Sequence, residues 1–219
     1  MNALPHPTPP VFAGMLEQAM PLWTDAQLAA SRARALAHWD RNTDLWVFAY
    51  GSLIWKPELR FAEARNAKIF GYHRSLCLWS TVNRGTPQAP GLVLALDTGG
   101  CCQGVGLRVR AADVEAEFAL LWKREMMRGS YRPLWLKAHT DSGSVRALAF
   151  VMNRHLPTYA GRLPDERVVD VLMHAHGRCG SSADYVCNTV AALAARGLVD
   201  ERLTRYRDLL AQRSVPSYG

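Results

Sequence analysis

The chain has 219 residues, 49% of them hydrophobic and 21% charged, which is enough for one globular domain with a sizeable core and excludes disorder as the state of its bulk. Its formal charge of +7 comes mostly from arginine, the lysines being only Lys56, Lys68, Lys123 and Lys137; the scatter of these residues fits solubility or a small anionic ligand. No basic run interleaved with aromatics argues for nucleic acid, and apolar runs such as 92–96 and 118–122 fall far short of the roughly 18–20 residues that span a bilayer.

The chain opens without the basic-then-apolar pattern of a signal peptide, and Pro5, Pro7, Pro9 and Pro10 suit an irregular leader. A cytoplasmic protein is expected, with neither membrane nor nucleic acid as partner. The cysteines Cys77, Cys101, Cys102, Cys179 and Cys187 are odd in number and contain no CxxC pair, so reduced thiols are expected rather than a disulfide framework or a zinc ribbon.

Residues 1–14 read as a Pro-rich leader, and Thr24 with Gln27 forms a capping box that opens a helix through about residue 38. Residues 1–44 are thus expected to be an N-terminal extension and 45–219 the main domain. From Leu45 the texture turns to β-type segments at 46–50, 67–72, 75–81, 91–96 and 102–109, punctuated by glycines and by the turn-like stretch 83–87. Residues 111–128 read as one helix ended by Gly129. Strands follow at 134–139 and 145–153, then helices at 165–176, 182–196 and 200–213. Strands grouped centrally with helices appended argue an α+β fold with a mixed or antiparallel sheet, curled into a barrel. Gly104 and Gly106 lack the third glycine and the following helix that a dinucleotide fingerprint requires.

On the 111–128 helix, Val114, Phe118, Leu121 and Glu125 fall within one narrow arc, so a carboxylate points where the core should be. Lys123 and Arg124 lie outside that arc. Desolvation raises a carboxylate's pKa and makes its ionised form a better base, which makes Glu125 a general acid/base candidate. The competing reading is a structural ion pair, with Arg74 or Arg84 as the partner.

The alternating strand around Trp46, Phe48 and Tyr50 stops at Gly51-Ser52, where the amides of Gly51, Ser52 and Leu53 are placed to meet an oxygen of a ligand, unless the turn is merely a turn. A serine-nucleophile elbow is absent, because the second glycine of GxSxG is missing. His174 and His176 are two apart, diverge on a helix and suit solvent better than a shared metal.

Residues 48–55, Phe-Ala-Tyr-Gly-Ser-Leu-Ile-Trp, resemble the YGSL(I/M)W signature of the ChaC family, the glutathione-specific γ-glutamylcyclotransferases. Further similarities follow in order: 71–74 (Gly-Tyr-His-Arg), Ser80-Thr81 with 84–87, 89–91, Arg124-Glu125-Met126 with Tyr131, Asn153 with Tyr159 and Gly161, and a glycine-bearing segment at 177–185. The resemblance spans about residues 45–212. It implies a γ-glutamylcyclotransferase-like fold, a small barrel with flanking helices, and a reaction without cofactor or metal that turns glutathione into 5-oxoproline and cysteinylglycine. It implies Glu125 as the catalytic carboxylate, Tyr50, Gly51, Ser52 and Leu53 as the substrate loop, and Tyr159 as a further substrate contact. Ala49, Ser130 and Ala160 depart from the common pattern, and the first two flank the expected site.

In the reaction so implied, the substrate's α-amino group attacks its own γ-carbonyl while Glu125 takes a proton and returns it to the departing nitrogen. Arg74 or Arg84, with a planar fork suited to carboxylates, is expected at the glycyl end, unless structural. A monomer is expected. The alternatives are a cyclotransferase for other γ-glutamyl amines or peptides, and a non-catalytic regulator of cation transport.

Overall fold

The computed structural model describes residues 20–214, so the expected leader over 1–14 lies outside the described residues. The first helix, α1 (Asp25–Ala35), starts at the expected capping box: the Thr24 hydroxyl accepts from the Gln27 amide, and the Gln27 side chain accepts from the Thr24 amide at 2.8 Å. Then follow β1 (Leu45–Ala49), a short 3-10 turn (Ser52–Ile54), β2 (Glu63–Ser80), β3 (Gly91–Val109), α2 (Ala111–Glu125), β4 (Tyr131–Thr140) and β5 (Gly143–Met152). The chain continues through α3 (Asp165–His174), a two-residue hairpin β6 (His176–Gly177) and β7 (Gly180–Ser181), α4 (Ser182–Ala194) and α5 (Glu201–Ser214). No described helix is long and apolar enough to cross a membrane.

Strands β1–β5 close into a barrel in the order β1-β3-β2-β4-β5, sealed by parallel pairing of β1 with β5. The expected α+β class holds, with one difference in the strands. The segments expected at 67–72 and 75–81 are one strand, as are those at 91–96 and 102–109. Register shifts at Phe70/Tyr72 and Leu76/Leu78 let β2 bend without breaking its ladder with β3. Such bulges accommodate an extra residue and sharpen the local twist, so glycines that read as breaks act as bends.

Alternation along β1 feeds two cores. Phe48 and Tyr50 join the core under α3, α4 and α5, whereas Leu45, Val47 and Ala49 join the core under α1 and α2. Ile54, just beyond β1, packs against both. Helix α2 covers the second core with Val114, Phe118 and Leu121, each at most 2% exposed. It stops at Glu125, three residues short of the expected end, because Met126 leaves helical geometry and Gly129 turns the chain at φ +66. A β-carbon at Gly129 would lie 2.2 Å from the Trp23 ring, so the turn fits only glycine.

Candidate active site

A cavity of about 710 Å³ opens where the end of α2, the turn after β1, the β2–β3 loop and the start of α4 meet. Its volume lies in the roughly 300–1,000 Å³ range of small-molecule sites. Glu125 and Ser52 both line it, so the carboxylate read from helical spacing and the strand-end turn share one wall. The charged lining residues are Lys56, Arg84, Lys123, Arg124, Arg128 and Arg178 against Glu58 and Glu125, an excess of positive charge that attracts an anion.

Glu125 is the last residue of α2, and its side chain is 14% exposed. Burial pushes its carboxyl above the ordinary range; Arg124 opposes that and Glu58 adds to it. Its place at the negative end of a helix acts in the same upward direction. The ion-pair partner is Arg124, with Nε 3.1 Å from Glu125 Oε1, and not the Arg74 or Arg84 of the competing reading. Helical spacing misses this contact because α2 ends there and frees the long Arg124 side chain to fold back across the terminus. Arg124 also donates to Ser52 Oγ at 2.9 Å, so one guanidinium joins the strand-end turn to the acid.

Three tyrosines surround this corner. Tyr50, buried, donates to the Phe150 carbonyl at 2.7 Å. Tyr131 donates to the Leu94 carbonyl at 3.4 Å, and the Leu94 amide donates to the Tyr185 hydroxyl at 3.3 Å. Burial pushes all three phenols up, Tyr185 to about 12, and the Glu125 charge adds to the effect, so they stand as neutral hydroxyls. Tyr131 and Tyr185 line the cavity. Both sit in the motif segments read from the sequence, but neither carried an expected role.

Arg84 lines the opposite wall and is 8% exposed. Its guanidinium lies 5.7 Å from the Trp55 ring centre and 5.3 Å from that of Tyr185, donates to the Ser181 carbonyl at 3.3 Å, and makes no ion pair with any described residue. A desolvated cation held by aromatic faces is free to receive a carboxylate. The backbone that carries it is clamped. Its amide donates to Ser80 Oγ at 3.1 Å, Ser182 Oγ donates to its carbonyl at 2.9 Å, and a β-carbon at Gly177 would lie 2.6 Å from its nitrogen. Glycine at 177 is what lets the β6–β7 hairpin pack so close.

Other expected site residues fall elsewhere. Arg74 does not line the cavity. Its side chain, 4% exposed, donates to Asp200 at 2.6 Å and to the carbonyls of Tyr50 and Gln103, which makes it a structural clamp. Tyr159 also lies off the cavity wall, its hydroxyl donating to Asp97 at 2.9 Å and accepting from Arg154 at 3.1 Å; its neighbour Thr158 lines the cavity instead. Leu53 turns into the core under α1 and α2, and Gly51 packs against the Tyr185 hydroxyl and Leu94. Of the expected loop, Ser52 alone presents itself to the cavity. Among the described residues no group of three or more His, Cys, Asp or Glu stands together as a metal set.

The family model described as ChaC-like protein matches residues 45–213. A glutathione-specific γ-glutamylcyclotransferase of Escherichia coli K12 is 37% identical over 191 residues, covering 87% of this chain and 82% of that protein. Glutathione-specific γ-glutamylcyclotransferase 1 of Rattus norvegicus is 30% identical over 184 residues, covering 82% and 77%. Among solved structures, a yeast γ-glutamyl cyclotransferase specific to glutathione superposes with a TM-score of 0.71 at 21% identity, over 78% of this chain and 97% of that one, which shows a shared fold.

Proposed function

This chain belongs to the family of ChaC-like proteins, and we propose from that premise that it is a cytoplasmic, monomeric γ-glutamylcyclotransferase that splits glutathione into 5-oxoproline and cysteinylglycine. The observation that carries the reading is Glu125, a carboxylate raised by burial at the wall of a cavity whose charged lining is mostly cationic. Glutathione bears a carboxylate at each end and a γ-amide between them, and the cavity offers a cation for its far end and a base for its reactive end.

The reaction needs no protein nucleophile. Glu125 accepts a proton from the substrate's α-ammonium, and the freed amine attacks the γ-carbonyl and closes a five-membered ring. The protonated Glu125 then donates to the amide nitrogen as the bond to cysteinylglycine breaks, and the restored carboxylate takes the surplus proton of the ring nitrogen and passes it to the departing amine, so it ends as it began. A raised pKa suits both halves, since a carboxyl nearer neutrality accepts and releases a proton with less penalty. The short turn at Ser52–Ile54 leaves its leading amides without acceptors inside the turn, which suits them to an oxygen of the γ-glutamyl group. The Tyr185 hydroxyl, kept neutral and accepting from the Leu94 amide, has its hydrogen to offer the carbonyl as charge develops on it, and Tyr131 joins it by giving up the Leu94 carbonyl. Arg84 receives the glycyl carboxylate, which favours glutathione over γ-glutamyl amines. Holding the chain folded for ring closure supplies much of the rate, since well-placed intramolecular partners reach effective molarities equivalent to roughly 7–11 kcal/mol.

The test is direct. Purified protein incubated with glutathione releases 5-oxoproline and cysteinylglycine, detected by mass spectrometry, and Glu125→Gln, nearly isosteric, loses about 100-fold or more of that release while keeping its circular dichroism. Near-native turnover in Glu125→Gln removes the carboxylate from the mechanism and the reading with it.

A further inference from the structure

Glu58, four residues beyond the Ser52–Ile54 turn by way of Pro57, adopts φ +50, the only positive value among the described non-glycine residues. A long side chain rarely takes this left-handed conformation, which persists only where its surroundings impose it. Here the conformation carries the Glu58 carboxylate to Arg124, with Nη1 to Oε2 at 3.0 Å, while Lys56 flanks its other oxygen at 3.1 Å.

Arg124 is thereby spoken for. Its Nη1 donates to the Lys56 carbonyl at 2.6 Å, the Pro57 carbonyl at 3.3 Å and Glu58, and its Nη2 donates to Ser52. Glu125 meets only the Nε edge, at 3.1 Å. A guanidinium released from this loop would present its fork to Glu125, and a bidentate pair holds a carboxylate ionised and poorly basic. The other groups facing Glu125 are the phenols of Tyr50 just after β1, Tyr131 on β4 and Tyr185 on α4, all neutral, so the charges beside it that can change are those of Arg124 and Glu58.

We propose that Glu58 is a positioning residue for this reaction: from its left-handed corner it anchors Arg124 on the loop, and so keeps the Glu125 carboxylate from being captured by its own neighbour. The proposal rests on the cyclotransferase reading, in which Glu125 must take up and release a proton. Glu58 touches neither the reacting atoms nor Glu125; its charge raises the Glu125 carboxyl across space, and its hold on Arg124 acts in the same direction.

Glu58→Asn tests it against Glu58→Asp: both tolerate the left-handed region and shorten the side chain by one methylene, and only the asparagine loses the charge. The measurement is 5-oxoproline release from glutathione across pH, with melting temperature in parallel. The expected result is an acid limb of kcat/KM displaced to lower pH in Glu58→Asn, with a reduced plateau, and a return toward the native profile in Glu58→Asp. A loss of stability or a rise in KM with the acid limb unmoved would mean that Glu58 merely braces the loop, and would overturn the proposal. A second readout is independent of turnover: the Glu125 carboxyl titration in ligand-free protein, followed by NMR with carboxyl-labelled glutamate and assigned by its absence in Glu125→Gln. It should fall in Glu58→Asn, and an unchanged titration also overturns the proposal. If native protein releases no 5-oxoproline, the cyclotransferase reading fails, and this titration still decides the role of Glu58.

Discussion

Arg84 and Glu125 sit in the same cavity under opposite electrostatic conditions, and each makes a distinct prediction. Arg84 is a cation held against Trp55 and Tyr185 with no described carboxylate in ion-pair contact. A charge-assisted hydrogen bond to ligand is worth about 1.5–3 kcal/mol, so Arg84→Gln should lower kcat/KM for glutathione roughly 10- to 100-fold. Glutathione esterified at its glycyl carboxylate supplies the control: it should be a poorer substrate of the native enzyme and nearly indifferent to the substitution, whereas equal losses on both substrates would assign Arg84 to packing. Glu125 is the reverse case, an anion whose folded environment favours the proton. A carboxyl raised above its ordinary 4.5 adds stability that is fully present below that value and is lost as pH rises through the raised one. At neutral pH its ionised form is therefore a burden on the fold. Glu125→Gln should melt higher than the native protein at pH 7, by roughly 2–4 °C for each kcal/mol relieved. The gain should vanish in melts below pH 4.5, and a gain independent of pH would show that desolvation of the charge is not its source.

At the scale of elements, the site depends on how helices are tied to the barrel. Arg74 of β2 pins three parts at once: the carbonyl of Tyr50 at the end of β1, that of Gln103 on β3, and Asp200, which caps α5 by accepting from the Leu203 amide at 3.1 Å. Asp200→Asn keeps a capping side chain but removes the charge facing a guanidinium that is 4% exposed. Breaking a buried pair from one side costs about 3 kcal/mol, to be read in urea denaturation, and unchanged stability would mean the two carbonyls alone satisfy Arg74. The same contact shows what the sequence left illegible. That Arg74 could grip a carboxylate was readable from its chemistry, but not that the carboxylate would be its own chain's, 126 residues away. Features set by local rules were legible: the start of α1 from Thr24 and Gln27, and the inward face of α2, including Glu125, from spacing. Features set by where an element stops were not. Arg124 reaches Glu125 and Ser52 because α2 ends early, and Glu58 reaches Arg124 through a backbone conformation its residue type gives no reason to expect. The continuity of β2 and β3 was hidden for a related reason, since glycine signals a break and a bulge alike until the partner strand is known.

Over the whole molecule, the barrel wall separates two cores, and the cavity lies where they approach each other around Ile54 and the end of α2. The segment before residue 45, expected as an appendage and lying outside the family match, is joined to that arrangement. Leu28 and Ser31 of α1 are buried against α2, Trp122 of α2 is 1% exposed and donates to Ser31 Oγ at 3.3 Å, and Trp135 of β4 donates to the Ala35 carbonyl at 2.8 Å. Just before α1, the Trp23 amide donates to the Met127 carbonyl at 2.8 Å, Arg128 donates to the Met20 carbonyl, and Met20 lines the cavity. These contacts grip the turn that follows Glu125, so removing them should disturb the acid's position as well as uncover a core. A chain starting at residue 45 exposes the Trp122 face, and each large apolar side chain returned to water forfeits about 1.5–3 kcal/mol. The shortened protein is expected to melt several degrees lower than the full chain and to lose 5-oxoproline release in excess of any unfolded fraction, because the 126–129 turn is no longer held. Equal melting temperature and equal turnover in the two chains would show that α1 is an appendage after all, and that α2 fixes Glu125 unaided.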